Sequence, residues 1–472
     1  MAKNRQNSGS IFGKILAVLI IGGLAAGAWY VYTAPEFERV KPEIVSPSEM
    51  FWNRIDPLKI QVKDNVALKS YEVSMSDGNK SVIIDQVLFE GAKKEDTLTI
   101  RFPKKMLDPK AKEITVNIKV NDKSMWNMLA GNSAQKSMDI YIDYKRPNVN
   151  IVANSRMVNQ GGSALVVFQA EDEHLDKLYI KANKNTFKAQ PYKKEGYYAA
   201  LIAWPFVDEN FDAKIVATDL AGNKREVHIP FYHKNPRYRT SYIKATDKFI
   251  DGKITDLASS DPEYATIKDR LKKLKAINET MRLSNEAKIH KMSRHVSDEM
   301  LETWKIKKFY PLKNGKKVAS FGDHRYYYYG KKDNVVSESY HVGYDLASNS
   351  MADVKASNAG KVVFAEENGI YGNMPLIDHG LGLYTLYGHC SQLLVNEGDE
   401  VSRGQTIAKT GMTGLAMGDH LHFGMLVQGI EVRPVEWFDQ SWITKFIDNV
   451  FKSADKIISP PPVKESDKEK AK

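Results

Sequence analysis

The spacing of apolar and polar positions changes period several times along the chain. Residues 15–32 form a nearly unbroken apolar run of eighteen with no charge after Lys14, which predicts a membrane-spanning helix. Beyond Pro35 come short alternating runs such as Leu58-Lys-Ile-Gln-Val62, Thr97-Leu-Thr-Ile-Arg101 and Ile114-Thr-Val-Asn-Ile-Lys-Val120. Period-two alternation bounded by Asp, Asn, Gly and Pro predicts β-strands. A second block of this kind begins at Pro147 and contains Ala164-Leu-Val-Val-Phe168 and Ala213-Lys-Ile-Val-Ala217. Leu129-Ala-Gly-Asn132 precedes the last strand of the first block as Leu220-Ala-Gly-Asn223 does in the second. A repeat of about a hundred residues predicts two tandem immunoglobulin-like β-sandwich modules, 36–146 and 147–236.

The period then turns helical. Asp261-Pro262-Glu263 supplies a cap and a first-position proline, and Ile267, Leu271, Leu274, Ile277 and Met281 follow on one face. A second start near Ser284 carries Ile289, Met292, Val296, Met300 and Trp304. These stripes predict an antiparallel helical pair within a helical linker, 237–309. Residues 310–448 read as a β-rich domain with many glycine turns. Residues 449–472, which include Ser459-Pro-Pro-Pro462 and a mixed-charge run, read as a disordered tail.

Charge and cysteine content narrow the choice of function. The net charge of +10 suits anionic partners. It is spread along the chain rather than gathered on one motif, which argues against nucleic acid. Lys3, Arg5 and Lys14 precede the apolar run, so residues 1–34 read as a cytoplasmic N-terminus and an anchor that exports the rest. Ala26-Gly27-Ala28 resembles a cleavage site, but the run continues past it and an uncleaved anchor is expected. With Cys390 as the single cysteine, a disulfide framework and a cysteine-based zinc site are both excluded. Any metal must be held by histidine and carboxylate.

Six of the eleven histidines lie between His324 and His422. Three motifs carry the candidate chemistry: His341-Val-Gly-Tyr-Asp345, Tyr387-Gly-His389 and Gly418-Asp-His420-Leu-His422-Phe423. His420 and His422 stand two apart in an apolar run that reads as a strand, so both face one side while Leu421 faces the core. A catalytic zinc takes three protein ligands and keeps one open position. The five groups His341, Asp345, His389, His420 and His422 could therefore supply a ligand set and leave two for acid–base work. Spacing alone does not choose between His420 and His422 as ligand.

Residues 321–443 resemble the lysostaphin/LytM-type zinc metallopeptidases, whose small β-fold is the duplicated hybrid motif. The likeness is carried by Phe321-Gly-Asp-His-Arg325, the His341-to-Asp345 motif, Ile377-Asp-His-Gly380 and Leu386-Tyr-Gly-His389. It continues through Val401-Ser-Arg-Gly-Gln405, Gly411-Met-Thr-Gly414, the His420-Leu-His422 strand and Val432-Arg-Pro-Val-Glu-Trp437. The resemblance implies one Zn2+ per chain on His341, Asp345 and His422. It assigns His389 and His420 to the water and the transition state. It further implies hydrolysis of peptidoglycan peptide cross-links, of D,D-endopeptidase type. The Gly-Asp-His-Leu-His-Phe variant behind an anchor resembles the envelope endopeptidases of Gram-negative bacteria, which places the catalytic region in the periplasm on the inner membrane. Two departures avoid the ligand positions: Cys390 replaces the usual leucine, and Met412 a small polar residue.

Two other readings stay open. One is a non-enzymatic LytM-like regulator of another wall hydrolase, although such regulators typically have damaged ligands. The other is an endopeptidase acting on an envelope protein. The immunoglobulin-like modules are expected to be spacers or docking surfaces for envelope partners. Residues 261–304, or a module, are expected to cover part of the cleft. His379 is expected at the surface, His324 at the surface or the cleft rim, and the Cys390 thiol packed as a small apolar group.

Overall fold

The computed structural model describes residues 11–47 and 49–460. The N-terminal run is one helix, Ile11–Thr33, of 23 residues with none buried. At 1.5 Å per residue it is about 34 Å long, enough to cross a bilayer core. Lys3 and Arg5, which orient it in the sequence reading, lie outside the described residues.

The chain divides into two compact units, one of residues 1–146 with 218–223 and one of 147–217 with 224–472. In the first unit six strands make one sheet, with the long strands Leu58–Ser76 and Ser81–Ile100 paired antiparallel. Alternation along Leu58–Ser76 buries Ile60, Val62, Val73 and Met75, as a half-buried strand requires. The repeated Leu-Ala-Gly-Asn turns have a common physical basis. Asn132 donates its backbone and side-chain N–H groups to the two carboxylate oxygens of Asp122, at 2.7 and 2.8 Å. Asn223 does the same with Asp219, also at 2.7 and 2.8 Å. Each aspartate thus closes its turn by satisfying donors that the reversing backbone would leave unpaired.

The second unit contains two four-stranded sheets. One is built around Ser163–Glu171 and Tyr197–Ala203, the other around Leu175–Ala182 and Ala213–Asp219. Packing does not break where the sequence suggests a linker, because one hydrophobic core joins residues 149–229 to residues 306–458. Gln428 shows how the seam is sealed: its side-chain amide donates to the Lys188 carbonyl at 2.9 Å and the Leu201 carbonyl at 3.1 Å.

The helical stretch is more broken than its apolar stripes suggest. Asp261 does cap a helix, accepting from the Glu263 amide at 3.0 Å, but Pro262–Ala265 ends after four residues. Asp269 then caps a new start, accepting from the Leu271 and Lys272 amides, and helical structure runs on to Met292. The stripe expected to continue through Val296 to Trp304 is not helical. The tail is also corrected in part. Asn449–Ile458 is a helix burying Val450, Phe451, Ala454 and Ile458, an amphipathic stripe whose burial offsets its ordering entropy. Residues 461–472 lie outside the described residues.

The C-terminal region is built on an antiparallel sheet in which Leu421–Val427 lies between Tyr344–Ala347 and Leu383–Gly388. A smaller sheet pairs Asp323–Tyr328 with Val335–His341 on one side and with Thr240–Lys244 on the other. The chain passes from the small sheet to the large one between His341 and Tyr344.

Candidate metal centre

Strand register sets the geometry. His422 pairs directly with Asp345 on one neighbouring strand and with Gly388 on the other, so His422 and Asp345 share a face of the sheet. His341 ends the strand before the crossover. Gly343 in that crossover lies flat against the His422 ring, where a Cβ would overlap the imidazole. Here glycine is required by close approach rather than by dihedral angle.

Three donor atoms converge. His341 Nε2 is 2.9 Å from Asp345 Oδ1, His422 Nδ1 is 2.9 Å from the same oxygen, and the two nitrogens are 3.1 Å apart. The donor chemistry fits a cation. The Ser320 carbonyl, 2.8 Å from His341 Nδ1, can only accept, so Nδ1 donates to it and Nε2 is the ring nitrogen turned toward the carboxylate. His422 turns Nδ1 to the same carboxylate oxygen. Tetrahedral zinc with bonds near 2 Å would space such atoms about 3.3 Å apart, close to the triangle seen. His341, Asp345 and His422 could thus hold a metal.

Burial alone would raise the Asp345 carboxyl, but His341 and His422 outweigh it and hold the group well below the usual carboxylate range. Burial pushes His422 down to about 4 against the pull of Asp345. The other two histidines complete the cluster. His389 follows the strand Leu383–Gly388 with a left-handed φ of 66°, a conformation uncommon outside glycine. It is fixed by donating its amide to the Tyr371 carbonyl at 2.8 Å and Nδ1–H to the Thr413 carbonyl at 2.9 Å. Burial, then the neighbouring His422 and His420, keep its imidazole well below the ordinary pKa, so it is neutral with Nε2 as its basic nitrogen. The His420 ring lies 4.8 Å from that of His389, and its Nε2 is 3.7 Å from Asp345 Oδ2.

Residues 339–434 match the model of peptidase family M23. This is an M23 domain. Over 95 residues, 20% of this chain, it is 41% identical to the Vibrio cholerae protein named peptidoglycan DD-endopeptidase ShyA and covers 21% of that protein. Over another 95-residue alignment it is 39% identical to the Neisseria meningitidis protein named DD-carboxypeptidase/endopeptidase Mpg, again 20% of this chain and 22% of the other. The chain thus spans about a fifth of the length of these curated relatives. A crystal structure of a peptidase M23 protein from Pseudomonas aeruginosa aligns over 61% of this chain and 97% of its own, at 18% identity and a TM-score of 0.38.

All five sequence-predicted groups of the M23 domain line one cavity of about 620 Å³. Its walls also carry residues that the motif reading did not single out. Tyr371 packs edge-on against the His422 ring at 5.4 Å, and its only cue was a position between two glycine-bearing turns. Arg325 was inside a quoted motif without a role; its Nη2 is 3.8 Å from Asp345 Oδ2. From the stretch before the M23 domain, Ser241, Tyr242, Ile243, Phe249 and Arg282 line the same cavity. The expected cover at 261–304 is represented there by Arg282, the other four lying upstream of it.

One of the two other histidines of this region differs from expectation. His379 is 7% exposed, not at the surface, with Nδ1 and Nε2 both hydrogen-bonded. His324 is half-buried, stacked on Tyr340 with ring centres 4.2 Å apart. Cys390 is buried as expected.

Proposed function

We propose that the chain is a membrane-anchored zinc metalloendopeptidase, of D,D-endopeptidase type, that hydrolyses peptide cross-links of peptidoglycan. The observation that carries the reading is the convergence of His341 Nε2, His422 Nδ1 and Asp345 Oδ1 to within 3.1 Å of one another. The names of the relatives, peptidoglycan DD-endopeptidase among them, support the substrate class. In this reading the helix Ile11–Thr33 anchors the chain in the inner membrane with the M23 domain in the periplasm. The β-rich regions 36–146 and 147–236 serve as spacers.

His341, Asp345 and His422 hold one zinc ion, which when bound supplies Lewis acidity toward the scissile carbonyl and toward water. Neutral His389 accepts a proton from the attacking water at Nε2. His420, whose Nδ1 donates to the Gly418 carbonyl at 2.7 Å, donates from Nε2 in its doubly protonated form to the oxyanion that develops on the substrate carbonyl. As the C–N bond breaks, the leaving nitrogen takes up the proton lost by water, giving one free amine and one carboxylate.

The test uses the full chain in detergent with cross-linked muropeptide dimers, followed by chromatography with chelator and then with added zinc. Cleavage should vanish with the chelator and return with zinc. Cleavage that survives chelation would remove zinc from the reading. No cleavage by zinc-loaded protein would favour the regulator.

A further inference from the structure

We propose that Arg282, assisted by Arg239, forms an anion subsite selecting peptides with a free carboxylate on the carbon bonded to the scissile nitrogen. This rests on the peptidase reading above and names the substrate feature the cleft would recognise. Three arginines line the cavity of the metal triad: Arg239, Arg282 and Arg325. Their charges are not equally satisfied. Arg325 sits 3.3 Å from Asp323 and 3.8 Å from Asp345. The remaining acid on the wall, Asp419, accepts from Ser350 Oγ and the Met351 amide. Among the described residues neither Arg239 nor Arg282 has an ion-pair partner within 4 Å.

Arg282 is the better placed of the two. It is half-buried at the start of the helix Arg282–Met292, and its Nε and Nη2 donate to the Asn278 carbonyl and side-chain oxygen at 2.9 and 3.0 Å. Those two bonds orient the guanidinium and leave the rest of its donor fork open to the cavity. A guanidinium held this way, partly desolvated and with no carboxylate within 4 Å, is matched in charge and geometry by a carboxylate. The two acids within a helical turn are otherwise engaged: Glu279 accepts from Ser337 Oγ and the Glu338 amide, and Glu286, which burial pushes up to about 7 despite Arg282, engages the Tyr371 hydroxyl. The same interaction pattern ties Arg282 to the metal site, since Tyr371 contacts His422.

The predicted ligand class follows from this excess of positive charge. A cross-link made through a diaminodicarboxylic acid carries a carboxylate on the carbon bearing the scissile nitrogen. A cross-link through lysine or a glycine bridge does not. The cleft would favour the first and discriminate against its amide.

The experiment compares muropeptide dimers identical except that this carboxylate is free or amidated, using the zinc-loaded full chain and its Arg282→Met, Arg282→Lys and Arg239→Met variants. Wild type should prefer the free acid by about tenfold to a hundredfold in kcat/KM, mostly through KM. Arg282→Met should bring that ratio close to one, Arg282→Lys should restore part of it, and Arg239→Met should lower it less. Zinc content and Tm report whether each variant folds. Calorimetric binding of the amine-side product, as acid and as amide, gives the same ratio without turnover. An unchanged acid-to-amide ratio in folded Arg282→Met overturns the inference. Acid-selective binding lost in that variant, with neither dimer cleaved by wild type, upholds the subsite and instead sinks the peptidase reading.

Discussion

Two buried histidines on the same sheet region, His379 and His422, have almost the same exposure, 7% and 6%. Burial pushes both down to about 4. They differ in how their hydrogen-bonding capacity is used. His379 donates Nδ1–H to the Ala359 carbonyl at 2.7 Å and accepts at Nε2 from the Thr385 hydroxyl at 2.7 Å, so each ring nitrogen has one partner of the right kind. His422 leaves Nε2 orphaned and crowds Nδ1 against another nitrogen and a carboxylate oxygen. A depressed pKa reports burial in both cases. The crowding of His422 Nδ1 and His341 Nε2 about one carboxylate oxygen is what sets His422 apart as a candidate metal ligand.

The largest effect should come from breaking the unsatisfied side of this contrast. Asp345→Ala or His422→Ala should abolish stoichiometric zinc binding, read by elemental analysis, and lower cross-link cleavage by about 10⁴-fold or more. His379→Gln should keep the zinc. A zinc-free His379→Gln protein, or a zinc-replete Asp345→Ala protein, would dissolve the distinction.

Next in size are the two groups that border the triangle. His389→Ala and His420→Ala should each retain zinc while losing about 10² to 10⁴ in kcat. Loss of metal from either variant would move that histidine into the ligand set.

The fold and the site were legible to different depths. Period-two alternation carried the strands well, because a strand such as Leu58–Ser76 with one buried face must alternate. The apolar run at 15–32 carried the helix Ile11–Thr33 for an equally simple reason. The helical stretch was harder. Asp261 and Asp269 both offer N-caps, and an apolar stripe does not say where one helix yields to the next. Asn449–Ile458 was hidden by the polar, proline-rich residues that follow it. At the site, the five clustered groups were visible in the motifs. His379 was misplaced because an Asp-His-Gly turn looks exposed until the fold brings the Ala359 carbonyl and the Thr385 hydroxyl against its ring. Arg282 had no local signal: it lies about sixty residues before His341, in a charged helix, and only tertiary packing brings it to the cavity.

A smaller effect concerns the pH dependence of the satisfied histidine. Unfolded, His379 takes a proton near 6.5, whereas in the fold it does so only near 4. Below pH 6.5 the unfolded state therefore binds more protons, and stability falls as the pH drops toward 4; above 6.5 this residue contributes no slope. The loss should approach roughly 3 kcal/mol. In zinc-free protein, urea midpoints between pH 7.5 and 4.5 should fall less steeply for His379→Gln than for wild type. Equal slopes would mean that His379 titrates alike folded and unfolded.

The smallest effect is expected one residue from His389. Cys390 is fully buried, and burial pushes its thiol up to about 12, while Sγ lies 3.2 Å from the Tyr387 carbonyl. Like His379 it is a partnered group, so adjacency to His389 should give it no part in the chemistry. Cys390→Ala should cost about 1 kcal/mol of stability through the small space it leaves, with kcat within about twofold of wild type, since each step of 1.4 kcal/mol is tenfold in rate. The native thiol should resist alkylation until the domain unfolds. A tenfold fall in kcat with zinc retained would show that the thiol holds the left-handed His389 backbone in place, and partnered groups would then no longer be silent in catalysis.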